Sequence, residues 1–109
     1  MHSIKEIDVT ELHARLKAES GRDLILVDVR TPAETARGAT QGACHIPLHM
    51  LPLSEHELPD EHDTAVVFYC QSGARSAQAC AFMGLRGRAN VYNLRGGFLA
   101  WQQAGRLAG

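Results

Sequence analysis

The sequence predicts an α/β fold, a parallel sheet of about five strands with helices on both faces. Short apolar runs typical of strands alternate with capped, amphipathic segments typical of helices, and no β-hairpin signal joins the strands. The run AVVFY at residues 65–69 is continuously apolar, as in a strand buried on both faces. The 109 residues contain no linker, repeat or low-complexity segment, which predicts one domain over residues 1–109.

The first part of the chain predicts a strand, a helix and a second strand. Three branched apolar residues indicate a short opening strand: Ile4, Ile7 and Val9. Thr10 is the expected N-cap of a helix that ends at about Glu19. Residues 24–29 are apolar except for Asp28, and this run predicts a second buried strand.

A short helix is expected after that strand. Thr31 suits the N-cap position, Pro32 the first helical position and Glu34 the third, so the three form a capping-box pattern. Gly38 is the expected end of the helix, and residues 42–46 predict a brief third strand.

The middle of the chain combines a long loop with the strongest strand and helix signals. Residues 49–63 are predicted to be loop, with one helical turn near residues 54–57. The strand at residues 65–69 follows, and a helix is predicted over residues 76–83. Three small residues are expected on one face of that helix: Ala77, Cys80 and Ala81.

The chain closes with one more strand and helix. Residues 90–94 predict a short strand, and Gly96 and Gly97 open a helix. Phe98 and Trp101 are expected to anchor this helix on the core.

The principal candidate for chemistry is Cys70, which directly follows the strand at residues 65–69 and precedes a helix. The first N–H groups of a helix have no intrahelical acceptor and the helix dipole is positive there, so this position stabilises a thiolate. Arg75 adds a positive charge nearby. The pattern therefore indicates a nucleophile, with a buried packing cysteine as the alternative.

Asp28 is expected to support this site. A carboxylate in a buried strand is costly without a partner, and Arg30 is the arginine nearest to it in sequence. We expect an ion pair between them at the carboxyl edge of the sheet, with a structural role favoured over a direct one.

Composition excludes several classes of function. The net charge of −1 argues against a nucleic-acid binder, and no apolar run is long enough to span a bilayer. Without a signal-peptide pattern, the expected compartment is the cytoplasm. Residues 1–63 carry a net −6 and residues 64–109 a net +5. Folding is expected to interleave these halves; otherwise the positive half favours a small anionic substrate or an acidic protein partner.

The remaining cysteines and the histidines carry weaker signals. Three cysteines without a Cys-x-x-Cys pair argue against a disulfide framework. Cys44 and Cys80 are expected to be packing residues, with resolution of a persulfide as the alternative. The six histidines show no metal-ligand spacing, so neither a metal nor another cofactor is expected.

Four motifs occur in order along the chain. They are LVDVR at residues 26–30, GACHIPL at 42–48, CQSGARS at 70–76 and NLRGGF at 93–98. With Pro32, Glu34 and Gly38 after the first motif and Trp101 and Gly105 after the last, they extend from residue 26 to residue 105. They resemble the motifs of a single-domain rhodanese, a sulfurtransferase. Ala39 departs from the pattern, because the family often has a histidine there, at a position that is not catalytic.

The resemblance implies a rhodanese-like domain and an enzyme of the thiosulfate sulfurtransferase type. Cys70 would take a sulfane sulfur from a small anionic donor such as thiosulfate, become a persulfide, and pass the sulfur to cyanide or a thiol acceptor. Arg75 would bind the donor anion, and Gly73 would turn loop amides toward the sulfur. The loop residues expected to bind substrate are Gln71, Ser72, Gly73, Ala74, Arg75 and Ser76.

Two other functions remain open at this point. One is a sulfur-relay or interaction module that delivers persulfide sulfur to a partner protein. The other is a phosphatase or arsenate reductase, but those use a longer Cys-x5-Arg loop. Here four residues separate Cys70 from Arg75, and Ser76 occupies the place of the phosphatase arginine. Because Gln71 and Ser72 are neutral, persulfide donors other than thiosulfate also remain open.

Overall fold

The structure, a computed structural model, describes residues 4–18, 24–40, 42–59 and 64–108. In these ranges five strands form one parallel sheet in the order β1-β5-β4-β2-β3. The strands are β1 Glu6–Ile7, β2 Leu24–Asp28, β3 Cys44–His45, β4 Ala65–Tyr69 and β5 Val91–Leu94. The helices are α1 Val9–Ala18, α2 Pro32–Ala36, α3 Leu51–Ser54, α4 Ala74–Leu85 and α5 Gly97–Ala108. The predicted α/β fold class is confirmed.

The sheet separates two hydrophobic cores, because alternate side chains of β4 point to opposite faces. One core contains residues of β4, α3 and α4, among them Val66, Phe68, Leu51, Ala79 and Met83. The other contains residues of β4, α1 and α5, among them Val67, Tyr69, Leu12 and Phe98. Trp101 packs against the second core, so the predicted anchoring of the last helix is confirmed.

The predicted N-cap of α1 is wrong. The helix begins at Val9, and the backbone N–H of Glu11 donates to Oδ1 of Asp8 at 2.8 Å. Asp8 therefore caps the helix in place of Thr10, and Val9 is helical where a strand was predicted. The described part of α1 reaches Ala18, and the predicted end at Glu19 lies outside the described residues.

The capping box of α2 is confirmed. The Glu34 N–H donates to Oγ1 of Thr31 at 3.2 Å, and the Thr31 N–H donates to Oε1 of Glu34 at 3.1 Å. Pro32 occupies the first turn, as expected from its fixed φ. This box holds the Glu34 carboxylate at the start of the helix.

The segment after β3 is more helical than the sequence predicts. It contains a 3-10 turn at Leu48–Met50, the helix α3 and a second 3-10 turn at Glu55–Glu57. The turn predicted near residues 54–57 is present, but α3 was predicted as loop. Leu51 and Leu58 are buried in the core, and their packing stabilises turns that have weak local signals.

The helix α4 starts two residues earlier than predicted, and the set of its residues that faces the core differs from the predicted one. Its buried residues are Ser76, Ala79, Cys80 and Met83. Cys80 faces inward as predicted, whereas Ala81 is exposed and Ala77 is half-buried.

The strand β2 ends at Asp28, one residue before the predicted end. Among the described residues, no helix combines the length and apolar character that crossing a membrane requires.

Candidate functional site

Cys70 lies at the carboxyl edge of the sheet, between the central strand β4 and the helix α4. Cys70 is 1% exposed. Ligands of parallel α/β sheets bind outside the carboxyl ends of the strands, so the position of Cys70 is that of a binding site. The short segment from Cys70 to Ser76, called the cysteine loop below, forms its immediate surroundings.

Gly73 directs a backbone amide at the cysteine sulfur. Its φ is +118°, a left-handed conformation that is strained for residues with a Cβ. In this geometry the Gly73 N–H donates to Cys70 Sγ at 3.1 Å. Of the other predicted loop residues, Gln71 is half-buried, whereas Ser72 and Ala74 are exposed.

The net effect of these surroundings is to lower the pKa of the Cys70 thiol. Burial acts in the opposite direction, because it penalises the charged form. The Ser76 hydroxyl and the backbone N–H groups of Ser76, Gly73 and Ser72 together outweigh burial. Cys70 is therefore a buried thiol whose anion is stabilised by hydrogen-bond donors.

Ser76 connects Cys70 to strand β5. Its hydroxyl lies 2.5 Å from Oδ1 of Asn93, 3.2 Å from the carbonyl oxygen of Gly73 and 3.4 Å from Cys70 Sγ. A serine hydroxyl has one proton, so these three acceptors compete for it. Asn93 in turn donates through Nδ2 to Glu6 at 3.2 Å. Sequence reasoning missed Asn93, although an asparagine in a buried strand was the available signal.

Arg75 forms a bidentate ion pair with Glu34. Its Nη1 lies 2.6 Å from Oε1 and its Nη2 lies 2.8 Å from Oε2, and the two side chains are 34% and 25% exposed. The pair raises the pKa of Arg75, and the Cys70 sulfur adds a smaller contribution. The same pair is the main cause that lowers the pKa of Glu34 to about 2. The sequence assigned Glu34 only a capping role.

The predicted ion pair of Asp28 and Arg30 is present and buried. Arg30 Nη2 lies 2.8 Å from Asp28 Oδ2, and the side chains are 2% and 1% exposed. Burial acts to raise the pKa of Asp28, but hydrogen bonds from Arg30 hold it below its usual value. Arg30 also donates through Nη1 to Oε1 of Gln71 at 3.3 Å and lies 4.3 Å from the Phe98 ring centroid. This pair thus connects β2 to the cysteine loop.

The helix α5, like α4, begins next to the cysteine loop. The N–H groups of Phe98 and Leu99 donate to the carbonyl oxygens of Cys70 and Gln71, at 2.9 Å and 3.2 Å. A Cβ on Gly97 would lie 2.5 Å from the Cys70 carbonyl oxygen, so only glycine permits this approach. The loop is therefore fixed on one side by α4 and on the other by α5.

The other two cysteines have different surroundings. Cys44 is exposed on β3, so its prediction as a packing residue is wrong, whereas Cys80 is buried in α4 as predicted. Burial, with a smaller contribution from Glu6, raises the pKa of Cys80 to about 12, so its thiol stays protonated near neutral pH. Cys80 lines a cleft of about 500 Å³ that includes neither Cys70 nor Arg75. Within the described ranges no three His, Cys, Asp or Glu side chains are grouped to hold a metal ion.

The fold and the loop define a class of small α/β proteins that carry one cysteine in an amide-lined turn at the sheet edge. Residues 8–104 match the family model described as a rhodanese-like domain. The chain therefore belongs to the rhodanese-like family.

Individual relatives agree with this assignment. The chain is 46% identical over 102 residues to a protein named sulfurtransferase from Allochromatium vinosum, covering 94% of this chain and 92% of that one. It is 35% identical over 99 residues to the putative sulfurtransferase YtwF of Bacillus subtilis, covering 91% of each. The solved structure of the human single-domain sulfurtransferase TSTD1 superposes with a TM-score of 0.76 at 26% identity, covering 93% of this chain and 97% of that one. These similarities support sulfurtransferase as the general class of activity.

Proposed function

We propose that this protein transfers a sulfane sulfur from a donor such as thiosulfate to cyanide or a thiol, through a persulfide on Cys70. The observation that carries the proposal is the N–H of Gly73, which donates to Cys70 Sγ at 3.1 Å from a left-handed glycine. This arrangement stabilises sulfur anions, and both the resting thiolate and the persulfide are sulfur anions.

The reaction needs no redox cofactor. The Cys70 thiolate attacks the outer sulfur of thiosulfate, a new S–S bond forms, and the bond to the sulfonate sulfur breaks so that sulfite leaves with the electron pair. Cyanide or a thiolate then attacks the terminal sulfur of the persulfide. Thiocyanate or a new persulfide leaves, and the Cys70 thiolate is restored.

The remaining parts of the cysteine loop have distinct roles in this proposal. The amides of residues 71–76 share the charge of the terminal persulfide sulfur. Arg75 is paired with Glu34, so it binds a donor anion only in competition with that carboxylate. Asp28 and Arg30 act as support, because Arg30 donates a hydrogen bond to the Gln71 side chain. Delivery to a protein thiol, as in a sulfur relay, is the same chemistry with another acceptor.

The geometry favours sulfur transfer over phosphate chemistry. At the loop position that carries the arginine in cysteine phosphatases, this chain has Ser76, a buried side chain that bonds to Asn93. The one arginine of the loop, Arg75, is paired with Glu34. A phosphate would therefore lack the guanidinium that neutralises its charge in the transition state. We expect neither aryl-phosphate hydrolysis nor arsenate reduction.

Intact-mass measurement tests the proposal. The wild type, Cys70→Ser and Cys44→Ser are treated with excess thiosulfate, or with the persulfide of 2-mercaptoethanol, and then with cyanide. We expect one added sulfur atom in the wild type and in Cys44→Ser, removed by cyanide, and none in Cys70→Ser. Equal sulfur uptake by Cys70→Ser would make Cys44 or Cys80 the carrier. No uptake by the wild type from either donor would overturn the proposal.

A further inference from the structure

The only cation of the cysteine loop is already paired. Arg75 is the single charged residue between Cys70 and Ser76, and both of its terminal nitrogens donate to the Glu34 carboxylate. A bidentate guanidinium–carboxylate pair uses the fork that would otherwise hold an oxyanion. An incoming oxyanion donor must therefore compete with Glu34 for the same donors.

Glu34 is held in this position by its own helix. Its backbone N–H and carboxylate form the capping box with Thr31, and the same Oε1 accepts from the Arg75 guanidinium. A movement of the carboxylate away from Arg75 would also break its hydrogen bonds with Thr31. The position of Glu34 is thus fixed by hydrogen bonds beyond the ion pair, unlike that of a carboxylate in an isolated pair of two flexible side chains.

The neighbouring cation Arg30 offers no replacement. It is 2% exposed and paired with Asp28, and it donates a hydrogen bond to the neutral side chain of Gln71 in the loop. Each arginine at the site is consequently matched by one carboxylate. The hydrogen-bond donors stabilise a single sulfur anion, but the site carries little excess positive charge for a second one.

We propose that Glu34 is a positioning residue that determines the donor class. By holding Arg75 it disfavours oxyanion donors such as thiosulfate and favours sulfane sulfur carried by a thiol, that is, a persulfide. This inference rests on the proposed transfer of sulfur through Cys70.

The charges of the reacting groups explain the preference. Attack of the thiolate on thiosulfate brings one negative charge to a dianion, whose sulfonate oxygens need a cationic partner. A thiol persulfide carries one negative charge, or none when it is protonated. The thiolate attacks its outer sulfur, the original S–S bond breaks, and the donor thiolate leaves with the electron pair. This reaction requires much less positive charge near Cys70.

Alkylation of Cys70 tests the electrostatic part without any sulfur transfer. Iodoacetate is an anion and iodoacetamide is neutral, and both react with the thiolate, so the ratio of their rates cancels changes in the Cys70 pKa. We expect Glu34→Gln to raise the iodoacetate-to-iodoacetamide ratio about three- to tenfold. Gln can keep the capping box, so the helix start is preserved.

Two further variants control this measurement. Glu55→Gln breaks the pair of Glu55 with Arg86, at the end of α4 about 18 Å from the loop, and is expected to leave the ratio unchanged. In the double variant Glu34→Gln/Arg75→Gln, most of the increase in the iodoacetate-to-iodoacetamide ratio is expected to be lost, because the increase comes from the released Arg75 guanidinium. If the double variant kept the full gain, Glu34 would act by its own charge and the proposed route through Arg75 would be wrong.

Donor kinetics test the specificity itself. With thiosulfate, we expect Glu34→Gln to lower KM about three- to tenfold with kcat changed less than about twofold. With the persulfide of 2-mercaptoethanol, KM should stay within about twofold. Equal changes for both donors, or none for thiosulfate, would overturn the inference while sulfur transfer through Cys70 remained intact. Failure of the proposed function would appear separately, as no sulfur on wild-type Cys70 from either donor.

Discussion

At the residue scale, the reactivity of Cys70 is a balance between burial and hydrogen bonding. Burial raises the pKa of the thiol, and four donor contributions from the cysteine loop lower it further than burial raises it. The Ser76 hydroxyl is the largest of these contributions. Its proton is also within reach of Asn93, whose oxygen is closer than the sulfur. The thiolate therefore depends on a hydroxyl that it shares with strand β5.

Replacement of Ser76 tests this balance. We expect Ser76→Ala to raise the pKa of Cys70, because the main donor that opposes burial is lost. The pH profile of Cys70 alkylation by iodoacetamide should then move to higher pH. Ser54→Ala is the control, since Ser54 makes no capping hydrogen bond in its own turn. An unchanged profile in Ser76→Ala would mean that Asn93 holds the hydroxyl proton even when the thiolate is present.

At the scale of elements, the site is the meeting point of two helix starts and one strand end. Cys70 directly follows β4, and backbone N–H groups of the turn before α4 and of its first turn donate to the sulfur, from Gly73 and Ser76. The first N–H groups of α5 donate to carbonyl oxygens on the other side of the loop. The loop backbone is thus held from both sides while its sulfur faces the donors. The backbone of such a site is preorganised, because the Gly73 N–H already donates to the sulfur.

Gly97 is the point at which α5 approaches the loop most closely. An Ala Cβ there would lie 2.5 Å from the Cys70 carbonyl oxygen and 2.8 Å from backbone atoms of Gln71, at a φ of +60°. We expect Gly97→Ala to lower the free energy of unfolding by about 1–3 kcal/mol and to slow Cys70 alkylation. The cause is displacement of α5 from the loop. Urea denaturation and alkylation rates measure the two effects.

Gly105 provides the matched control in the same helix. A Cβ there meets nothing within 4 Å, and the residue is exposed. We expect Gly105→Ala to stabilise the protein by about 0.5–1 kcal/mol, from helix propensity alone, with unchanged Cys70 reactivity. If Gly97→Ala behaved like Gly105→Ala, the close approach of α5 would not matter for the site.

At the scale of the whole molecule, the two oppositely charged halves of the sequence pair with each other. Three ion pairs join an acid of the first half to an arginine of the second: Glu6–Arg95, Glu34–Arg75 and Glu55–Arg86. The interleaving expected from the α/β fold is therefore present. These pairs neutralise part of the positive half, which weakens the argument for an acidic docking partner.

The ion pairs also predict how stability depends on pH. The folded-state pKa of Glu34 is about 2 against an ordinary 4.5, and that of Asp28 is lowered as well. Unfolding raises both pKa values, so in acid the unfolded chain binds more protons than the folded one. We expect the free energy of unfolding to be constant near neutral pH and to fall as pH decreases from about 4.5 toward about 2. Urea denaturation across this range measures it.

The variant Glu34→Gln separates the contribution of Glu34 to the acid dependence of stability from that of the other carboxyl groups. Its side chain no longer titrates, so the variant should lose less stability than the wild type over the same acid range. A steeper loss in the variant, or a wild type whose stability does not change down to about pH 3, would contradict the assignment of these lowered pKa values.

Local sequence patterns were sufficient for much of this architecture. The strand β4 follows from a continuous apolar run, the α2 capping box from residues three apart, and the Asp28–Arg30 pair from residues two apart. Gly73 and Cys70 are likewise close in sequence, and the φ of +118° agrees with the turn expected there. The prediction of the α1 N-cap was wrong because Asp and Thr are both favoured at N-cap positions, and the sequence does not decide between Asp8 and Thr10.

The sequence by itself determined most strands and helices and the place of the reactive cysteine among them, because hydrophobic period, capping and turn chemistry act over a few residues. The helix α3 is an exception, since its stability comes from packing in the core. Only the tertiary structure decided what surrounds that cysteine. The partner of Arg75 is 41 residues away and that of Ser76 is 17 residues away. They meet because parallel pairing of β2, β4 and β5 aligns their carboxyl ends, and hydrogen bonds and charges act through that distance in space rather than along the chain.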